Sequence, residues 1–456
     1  MRTVAAKAYY SGDGPASLST RRSASRRFLA QVASSIPKTH DNSKASSYKV
    51  VVVGGGTAGL SVASSLSESL GNKAVAVVEP SDVHYYQPLW TFVGSGLKTF
   101  DESKMATSEV MPEKAQWIKD SVATFDPKQN TVKLANGETI SYEYLVVAAG
   151  IQTNWGKIKN LPETLGKNGV TSNYSAQSVQ KTDEFIKAFK GGNALFTMPS
   201  TPIKCAGAPQ KIMYLAEEQW RKAGVRSQTD IKYFTGLGKI FAIDKYAKEL
   251  LKICKARDLD INYFTDLAEI RPESKEAVFN VLGGEAKGTT LTLPYDFLHV
   301  TPPMGPPDFV KSSPLSNADG WVDVDKDTLR HNKFANVYAL GDCSSLPTSK
   351  TAAAIAAQSA VLKNNLLGDI FGDRKVAKYD GYTSCPLVTG SDKLILAEFS
   401  GYTGQPLETF PFDQSKERYS TYFLTKEIIP EIYWKYMVKG SWDGPAKFRK
   451  LFGASA

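Results

Sequence analysis

The chain has 456 residues, 42% of them apolar and 22% charged, with a formal net charge of +9. That is the composition of an ordinary globular protein, long enough for two or three domains with substantial cores. It holds no run of about 18 apolar residues, so no membrane-spanning helix is expected. Four widely spaced cysteines exclude a secreted disulfide scaffold and a zinc ribbon, and neither a metal nor a nucleic-acid partner is expected.

Residues 1–45 read as a leader. Within its first 40 residues or so, Arg2, Lys7, Arg21, Arg22, Arg26, Arg27 and Lys38 stand against the single acid Asp13, among many serines and alanines. This is the composition of a mitochondrial transit peptide, with processing expected near Arg26-Arg27-Phe28, and the segment is excluded from the fold.

The fold begins at residue 46. Val50, Val51, Val52 and Val53 form a β-branched run without alternation, the pattern of a central parallel strand buried on both faces. It breaks into Gly54-Gly55-Gly56-Thr57-Ala58-Gly59, where Gly54, Gly56 and Gly59 satisfy Gly-x-Gly-x-x-Gly. The first glycine permits a tight turn, the second lets backbone approach a pyrophosphate, and the third lets the following helix close on the strand. That helix, at 58–70, aims its N-terminal amides at the phosphates. A second strand, at 74–78, ends in Glu79, which can accept from an adenosine ribose, with Pro80 beside it. The glycine pattern alone is a weak signal; with this strand, helix and acid around it, the stretch predicts a bound dinucleotide.

Residues 83–90 are an aromatic loop containing Gln87, which either passes beside a flat ring or packs on the sheet. Strands at 131–134 and 139–142 around Asn136-Gly137 read as a β-hairpin. A buried strand then runs into Ala149 and Gly150, small residues that let the chain lie against a ligand. A second α/β unit follows from about residue 187. Its strand at 193–197 is followed not by a glycine fingerprint but by Met198-Pro199-Ser200-Thr201-Pro202-Ile203-Lys204-Cys205. This leaves no cradle for a second pyrophosphate and argues against NADH or NADPH as electron donor. Cys205 stands just ahead of a helix at 209–223, with Pro209 in its first turn, between Lys204 and Lys211. Helix dipole and ammonium charge there both favour a thiolate. Strands at 231–234, 261–264 and 277–281 and a helix at 245–256 complete the unit. Cys254 reads as packing, and His299 either as an interior histidine or as a site residue.

A strand at 336–340 rejoins the first unit and ends in Gly341-Asp342, where glycine brings backbone close and the carboxylate can accept from ligand hydroxyls. The next helix opens at Lys350 and Thr351 and runs through alanines that permit close approach of a planar group; its N-terminal amides would stabilise negative charge there. Cys343 reads as structural. Cys385 reads as a turn residue before Pro386, of interest for its pairing with Cys205. The C-terminal stretch grows aromatic and basic: Phe448, Leu451 and Phe452 share a helix face flanked by Lys447, Arg449 and Lys450, the composition of a helix lying in a membrane interface. A helix docked on the protein's own body is the alternative.

The fingerprint, Glu79, Gly341-Asp342 and the alanine-rich helix resemble the two-dinucleotide-binding-domain flavoproteins. Ile203-Lys204-Cys205-Ala206-Gly207-Ala208-Pro209-Gln210-Lys211, Lys350-Thr351-Ala352-Ala353-Ala354 and Tyr382-Thr383-Ser384-Cys385-Pro386-Leu387-Val388-Thr389-Gly390 are similar to the mitochondrial type of the sulfide:quinone oxidoreductase family, over essentially all of 48–452. The resemblance implies an α/β protein with two Rossmann-like domains: an FAD domain at 46–155 and 320–380, a second lacking the NAD fingerprint at 156–319, and a membrane-associating quinone region at 381–456. It also implies a redox-active Cys205–Cys385 disulfide or trisulfide beside the flavin. In the chemistry it implies, hydrosulfide opens the bridge, leaving a persulfide on Cys385 and a thiolate on Cys205 that adds to the flavin. The sulfane sulfur passes to a small acceptor such as glutathione or sulfite, and two electrons reach ubiquinone. The protein would sit monotopically on the matrix face of the inner mitochondrial membrane, with Gln210, Phe412, Tyr422 and Lys426 lining the quinone channel. Two other readings stand beside this one. A type II NADH:quinone dehydrogenase would need a glycine fingerprint after Thr197 and no cysteine pair, and a flavin-bearing interaction protein would carry cysteines that merely pack.

Overall fold

The computed structural model describes residues 46–373 and 375–452; the basic leader lies outside them. Strand β1 (Ser47–Val53) runs into helix α1 (Thr57–Leu70), which returns to β2 (Val75–Val78). The chain then adds β3 (Gln116–Ile118) and an antiparallel meander of β4 (Val122–Asp126), β5 (Thr131–Leu134) and β6 (Thr139–Val147). The sheet order is β3-β2-β1-β6-β5-β4, with β1 parallel to both β2 and β6. Strands covered on both faces need unbroken apolar runs, and Val50, Val51 and Val52 are sealed from solvent. The expected hairpin is present, and β4, which the sequence pattern did not mark, extends it.

The second sheet comprises β7 (Val170–Thr171), β8 (Gly192–Met198), β9 (Thr229–Thr235), β10 (Asp260–Asn262) and β11 (Phe297–His299), in the order β7-β11-β8-β9-β10. Helices α2 (Ala208–Lys222) and α3 (Asp244–Ala256) connect its strands. The strand expected at 261–264 ends early, because Phe264 adopts a left-handed φ of +53°. A separate three-stranded antiparallel sheet begins at Thr265. Strand β12 (Val337–Ala339) then returns to pair in parallel with β6, and α4 (Ala352–Phe371) packs against α1.

Strands β13 (Tyr382–Gly390) and β14 (Lys393–Ser400) form a two-stranded antiparallel ribbon. Cys385 therefore lies in a strand, not a turn. Pro386 beside it has no N–H to donate, but a two-stranded ribbon has open edges where proline is tolerated.

The C-terminal segment is a series of short helical turns, two of them π-helical, Leu424–Ile428 and Tyr433–Met437. Tyr422, Tyr433 and Met437 are buried, whereas seven of the thirteen exposed large apolar side chains among the described residues fall between positions 419 and 452. Arg449, expected on the exposed basic flank, is buried instead: it donates to Asp380 at 2.8 Å and lies over the Tyr382 ring. A buried guanidinium must find an anion, and this pair fastens the helix Ala446–Leu451 to the body. No helix among the described residues is long and apolar enough to cross a membrane.

Candidate active site

The carboxyl ends of β1, β2, β6 and β12 open into a cavity of about 810 Å³, the place and size at which open α/β sheets hold organic ligands. One end of it is the glycine turn. Gly54 has φ +101°, and a Cβ there would stand 2.5 Å from Ala148 O; a Cβ on Gly59 would stand 1.8 Å from Gly54 O. The packing of the protein on itself demands both glycines. Gly56 differs, since nothing lies within 4 Å of a Cβ built there and its φ of −73° suits any residue. The space before it belongs to the cavity, facing the N-terminus of α1, where an anion is welcome. Glu79 Oε2 accepts from Gly55 N at 2.7 Å, and its other oxygen accepts from Ser81 N at 2.8 Å. Carboxylate lone pairs remain for a ligand hydroxyl.

Gly55, Ala58, Gln87, Ala149 and Gly150 also line this end, and Asp342, Lys350, Thr351 and the alanine-rich start of α4 line the opposite wall. Thr351 caps α4, its Oγ1 accepting from Ala354 N at 3.1 Å. Four of the expected residues are not in the wall, among them Cys385, which lies behind it while its strand neighbours Ser384 and Pro386 line it. Gly59 and Gly341 stand behind it, Gly341 at φ +73° where a Cβ would meet Ala58 at 3.2 Å and Ile355 at 3.5 Å, and Pro80 is exposed between Glu79 and Ser81.

Cys205 and Cys385 are 180 positions apart in the chain, yet their sulfurs stand 3.9 Å apart as free thiols. Hydrogen bonds across the loops hold them there. Cys205 N donates to Lys350 O at 2.8 Å, Thr351 Oγ1 lies 2.9 Å from Thr383 Oγ1, and Tyr174 donates to Cys205 O at 3.3 Å. Cys205 itself has φ +52°, a left-handed conformation uncommon in a residue with a side chain and typical of functional positions. Lys211, in the first turn of α2, donates to Cys205 Sγ at 3.5 Å.

A hydrogen bond from the Cys385 thiol, outweighing burial and aided by the Lys211 ammonium, holds Cys205 below the ordinary thiol range. The same interaction, with burial, pushes Cys385 well above it. The pair is thus asymmetric: Cys205, with the Lys211 ammonium at its sulfur, is the favoured seat of negative charge, and Cys385 is not. Burial lowers the Lys204 ammonium to about 8 against the opposing pull of Asp342, whose own carboxyl is raised by burial.

The remaining candidates are interior. Cys343 donates to Val147 O at 3.4 Å and is pushed up to about 11 by burial, an inert thiol. Cys254 is buried beside Tyr214. His299 accepts from Asn173 N at 3.0 Å, and burial lowers its pKa to about 3. In the loop after β8, Ser200 N donates to Asp266 Oδ1 at 2.8 Å and Ser200 Oγ to Oδ2 at 2.5 Å. A pyrophosphate at that turn would meet a carboxylate in place of a free N–H.

Residues 48–187 match the pyridine nucleotide-disulphide oxidoreductase family. The chain is 51% identical over 405 residues to the mitochondrial sulfide:quinone oxidoreductase of Mus musculus, with 89% of each chain covered. It is 48% identical over 399 residues to that of Dictyostelium discoideum, with 87% of each covered. The chain belongs to the mitochondrial sulfide:quinone oxidoreductase family. The crystal structure of the sulfide:quinone oxidoreductase from the bacterium Aquifex aeolicus shares its fold, with a TM-score of 0.74 at 17% identity over 90% of this chain and 96% of that one.

For a sulfide:quinone oxidoreductase, the glycine turn, Glu79, Asp342 and the α4 N-terminus are a donor set that fits a flavin. The quinone-channel expectations fare differently. Gln210 is buried and donates to Ile240 O at 3.0 Å, and Phe412, Tyr422 and Lys426 stand outside the cavity wall. The apolar arm is lined instead by Leu424, Ile429, Ile432, Met437, Trp442 and Phe448. The spacing of Ile429, Ile432 and Met437 was the available signal, but the π-helical turns shift which side chains face inward. His84, Tyr433 and the buried Glu398, all in the cavity wall, had no motif to mark them.

Proposed function

We propose that this protein oxidises hydrogen sulfide to sulfane sulfur through the Cys205–Cys385 pair and an FAD, delivering the electrons to ubiquinone. The observation that carries this reading is a pair of sulfurs 3.9 Å apart, Cys205 in the wall of a cavity that reaches from the glycine turn to an apolar arm and Cys385 directly behind that wall, between the lining residues Ser384 and Pro386. One sulfur atom held between two cysteines by bonds of about 2.05 Å would span roughly 3.3 Å, so a bridging sulfur needs only a small closure, and a direct disulfide a larger one.

In the oxidised bridge, hydrosulfide attacks Cys385 Sγ: the new S–S bond forms there, and Cys205 departs with the electron pair of the broken bond. Cys205 is the better leaving group because the Lys211 ammonium, 3.5 Å from its sulfur, stabilises the departing anion. Cys385 is left as the persulfide, whose outer sulfur is taken by a small nucleophile such as glutathione or sulfite. A bound FAD supplies the two-electron sink that re-forms the bridge and serves the quinone. The apolar arm lined by the C-terminal segment is the quinone's entrance.

Anaerobic mixing tests this. Sulfide is expected to bleach the flavin absorbance and a short-chain quinone to restore it. Bleaching by NADH but not by sulfide would favour the dehydrogenase reading, which the Ser200–Asp266 closure opposes, and bleaching by neither would favour a non-catalytic role.

Two variants probe the thiol pair. A Cβ on Gly207 would stand 2.4 Å from Cys385 Sγ, while its φ of −87° accepts alanine. Gly207→Ala is therefore expected to slow sulfide-driven reduction by about tenfold or more, through displaced sulfurs, with flavin content unchanged. Lys211→Met removes a cation that favours the Cys205 thiolate, so the thiol pKa rises. The acid limb of the sulfide-reduction rate, measured by stopped flow, should move to higher pH by about one unit.

On this reading the protein lies in the mitochondrion, on the matrix face of the inner membrane, and the exposed apolar side chains of the C-terminal segment, Leu451 (75% exposed) and Phe423 (46%) among them, support contact with a membrane surface. Leu451→Glu combined with Phe423→Glu is expected to weaken phospholipid-vesicle binding about tenfold or more in co-sedimentation, with flavin retained. Unchanged binding would put the anchor elsewhere. Truncation after Lys439 is a poorer test, since it removes the buried Arg449 and the cavity-lining Trp442.

A further inference from the structure

Tyr433 belongs to the C-terminal segment, yet its hydroxyl is bonded to the glycine turn's end of the molecule. Tyr433 Oη lies 2.8 Å from Thr57 Oγ1 and 2.5 Å from His84 Nε2, and His84 Nδ1 lies 3.2 Å from Gly55 O. A carbonyl only accepts, so Nδ1 carries the imidazole proton. Nε2 then accepts from the Tyr433 O–H, and the Tyr433 oxygen accepts from the Thr57 O–H. Burial lowers the His84 pKa to about 4 against the raising effect of the Gly55 bond, so the neutral form that this chain requires is present at neutral pH. Tyr433 is 1% exposed and His84 5%, and the Tyr86 ring lies 4.2 Å from that of Tyr433.

The contact continues along α1. Ser64 Oγ donates to Val438 O at 2.7 Å, and a Cβ on Gly440 would stand 2.7 Å from Ser65 N. The C-terminal segment thus grips the helix that opens at the dinucleotide turn from Thr57 as far as Ser65. Holding Gly55 O fixes the plane of the Gly55–Gly56 peptide and hence the direction of the Gly56 N–H. Thr57, the first residue of α1, is held by the same hydroxyl.

We propose that Tyr433 and His84 are positioning residues that lock the C-terminal segment to the dinucleotide turn, making cofactor retention and docking of residues 424–443 one coupled equilibrium. This rests on the reading that FAD binds at that turn. The coupling is reciprocal: whatever factor docking adds to FAD affinity, bound FAD adds to docking.

The test uses purified holoenzyme. Tyr433→Phe keeps the ring but leaves His84 Nε2 without its donor and Thr57 without its acceptor. It is expected to weaken FAD binding about tenfold, read as flavin released on dilution, and to speed protease cleavage within 424–443 by a similar factor. His84→Gln should act in the same direction, and Tyr436→Phe, on an exposed residue of the same segment (53%), should change neither readout. In the wild-type protein, stripping the flavin should by itself expose 424–443 to protease, an arm that needs no variant to fold. Wild-type FAD retention in both Tyr433→Phe and His84→Gln, or cleavage of wild-type 424–443 indifferent to flavin, would overturn the coupling. A wild-type protein that binds no flavin would overturn the cofactor reading itself.

Discussion

Cys205→Ser is expected to leave a folded, flavin-loaded protein that sulfide no longer bleaches, with turnover down on the order of 10³-fold or more. The substitution changes one atom at a position held by backbone, since Cys205 N donates to Lys350 O at 2.8 Å and Cys205 O accepts from Ala208 N at 2.8 Å. Serine can adopt the same φ of +52°, so the cradle at the other end of the cavity should be undisturbed. A hydroxyl cannot form the bridge, and no charge on Lys211 brings it into the range where a thiol ionises. Anaerobic titration with sulfide, monitored in the flavin band, reads the chemistry, and the flavin-to-protein ratio reads the fold. Bleaching at the wild-type rate would mean that sulfide reaches the flavin without Cys205, and the thiol-pair mechanism would be lost.

How much of this was legible beforehand varied with the kind of signal. The run from Val50 to Gly59 was readable because each residue type there answers a local demand: β-branched side chains for a strand covered on both faces, and glycine where a Cβ would strike Ala148 O or Gly54 O. The capped start of α4 at Thr351 was readable for the same reason. The meeting of Cys205 with Cys385 was implied by family motifs and not by spacing, because nothing local indicates that Cys205 N will bond to Lys350 O or Thr351 to Thr383. Cys385 was misplaced in a turn because the adjacent proline outweighed the apolar run around it, and only pairing with β14 shows the strand. Arg449 was taken for an exposed cation because Asp380, which holds it, is 69 positions away. The wall of the apolar arm was not legible because π-helical turns break the 3.6-residue spacing on which a face assignment depends.

Gly56→Ala and Gly59→Ala should part company, although both fall in the same fingerprint. A Cβ on Gly59 would stand 1.8 Å from Gly54 O and 2.9 Å from Gly54 C, so α1 must back away from β1 whether or not a cofactor is present. Overpacking of this kind costs about 1–3 kcal/mol or more, and Gly59→Ala should lower the thermal midpoint of the flavin-free protein and bind no flavin. A Cβ on Gly56 meets nothing within 4 Å in the protein alone, and the φ there is ordinary for alanine. The flavin-free Gly56→Ala protein should therefore melt as the wild type does. The methyl nonetheless enters the space before the α1 N-terminus, where a pyrophosphate has to touch backbone, so flavin content should fall severely. Differential scanning fluorimetry of the stripped proteins and flavin content of the purified ones separate the two effects. Normal loading of Gly56→Ala would show that the phosphates lie elsewhere in the cavity, and with them the placement of the ring beside Cys205 would have to be redrawn.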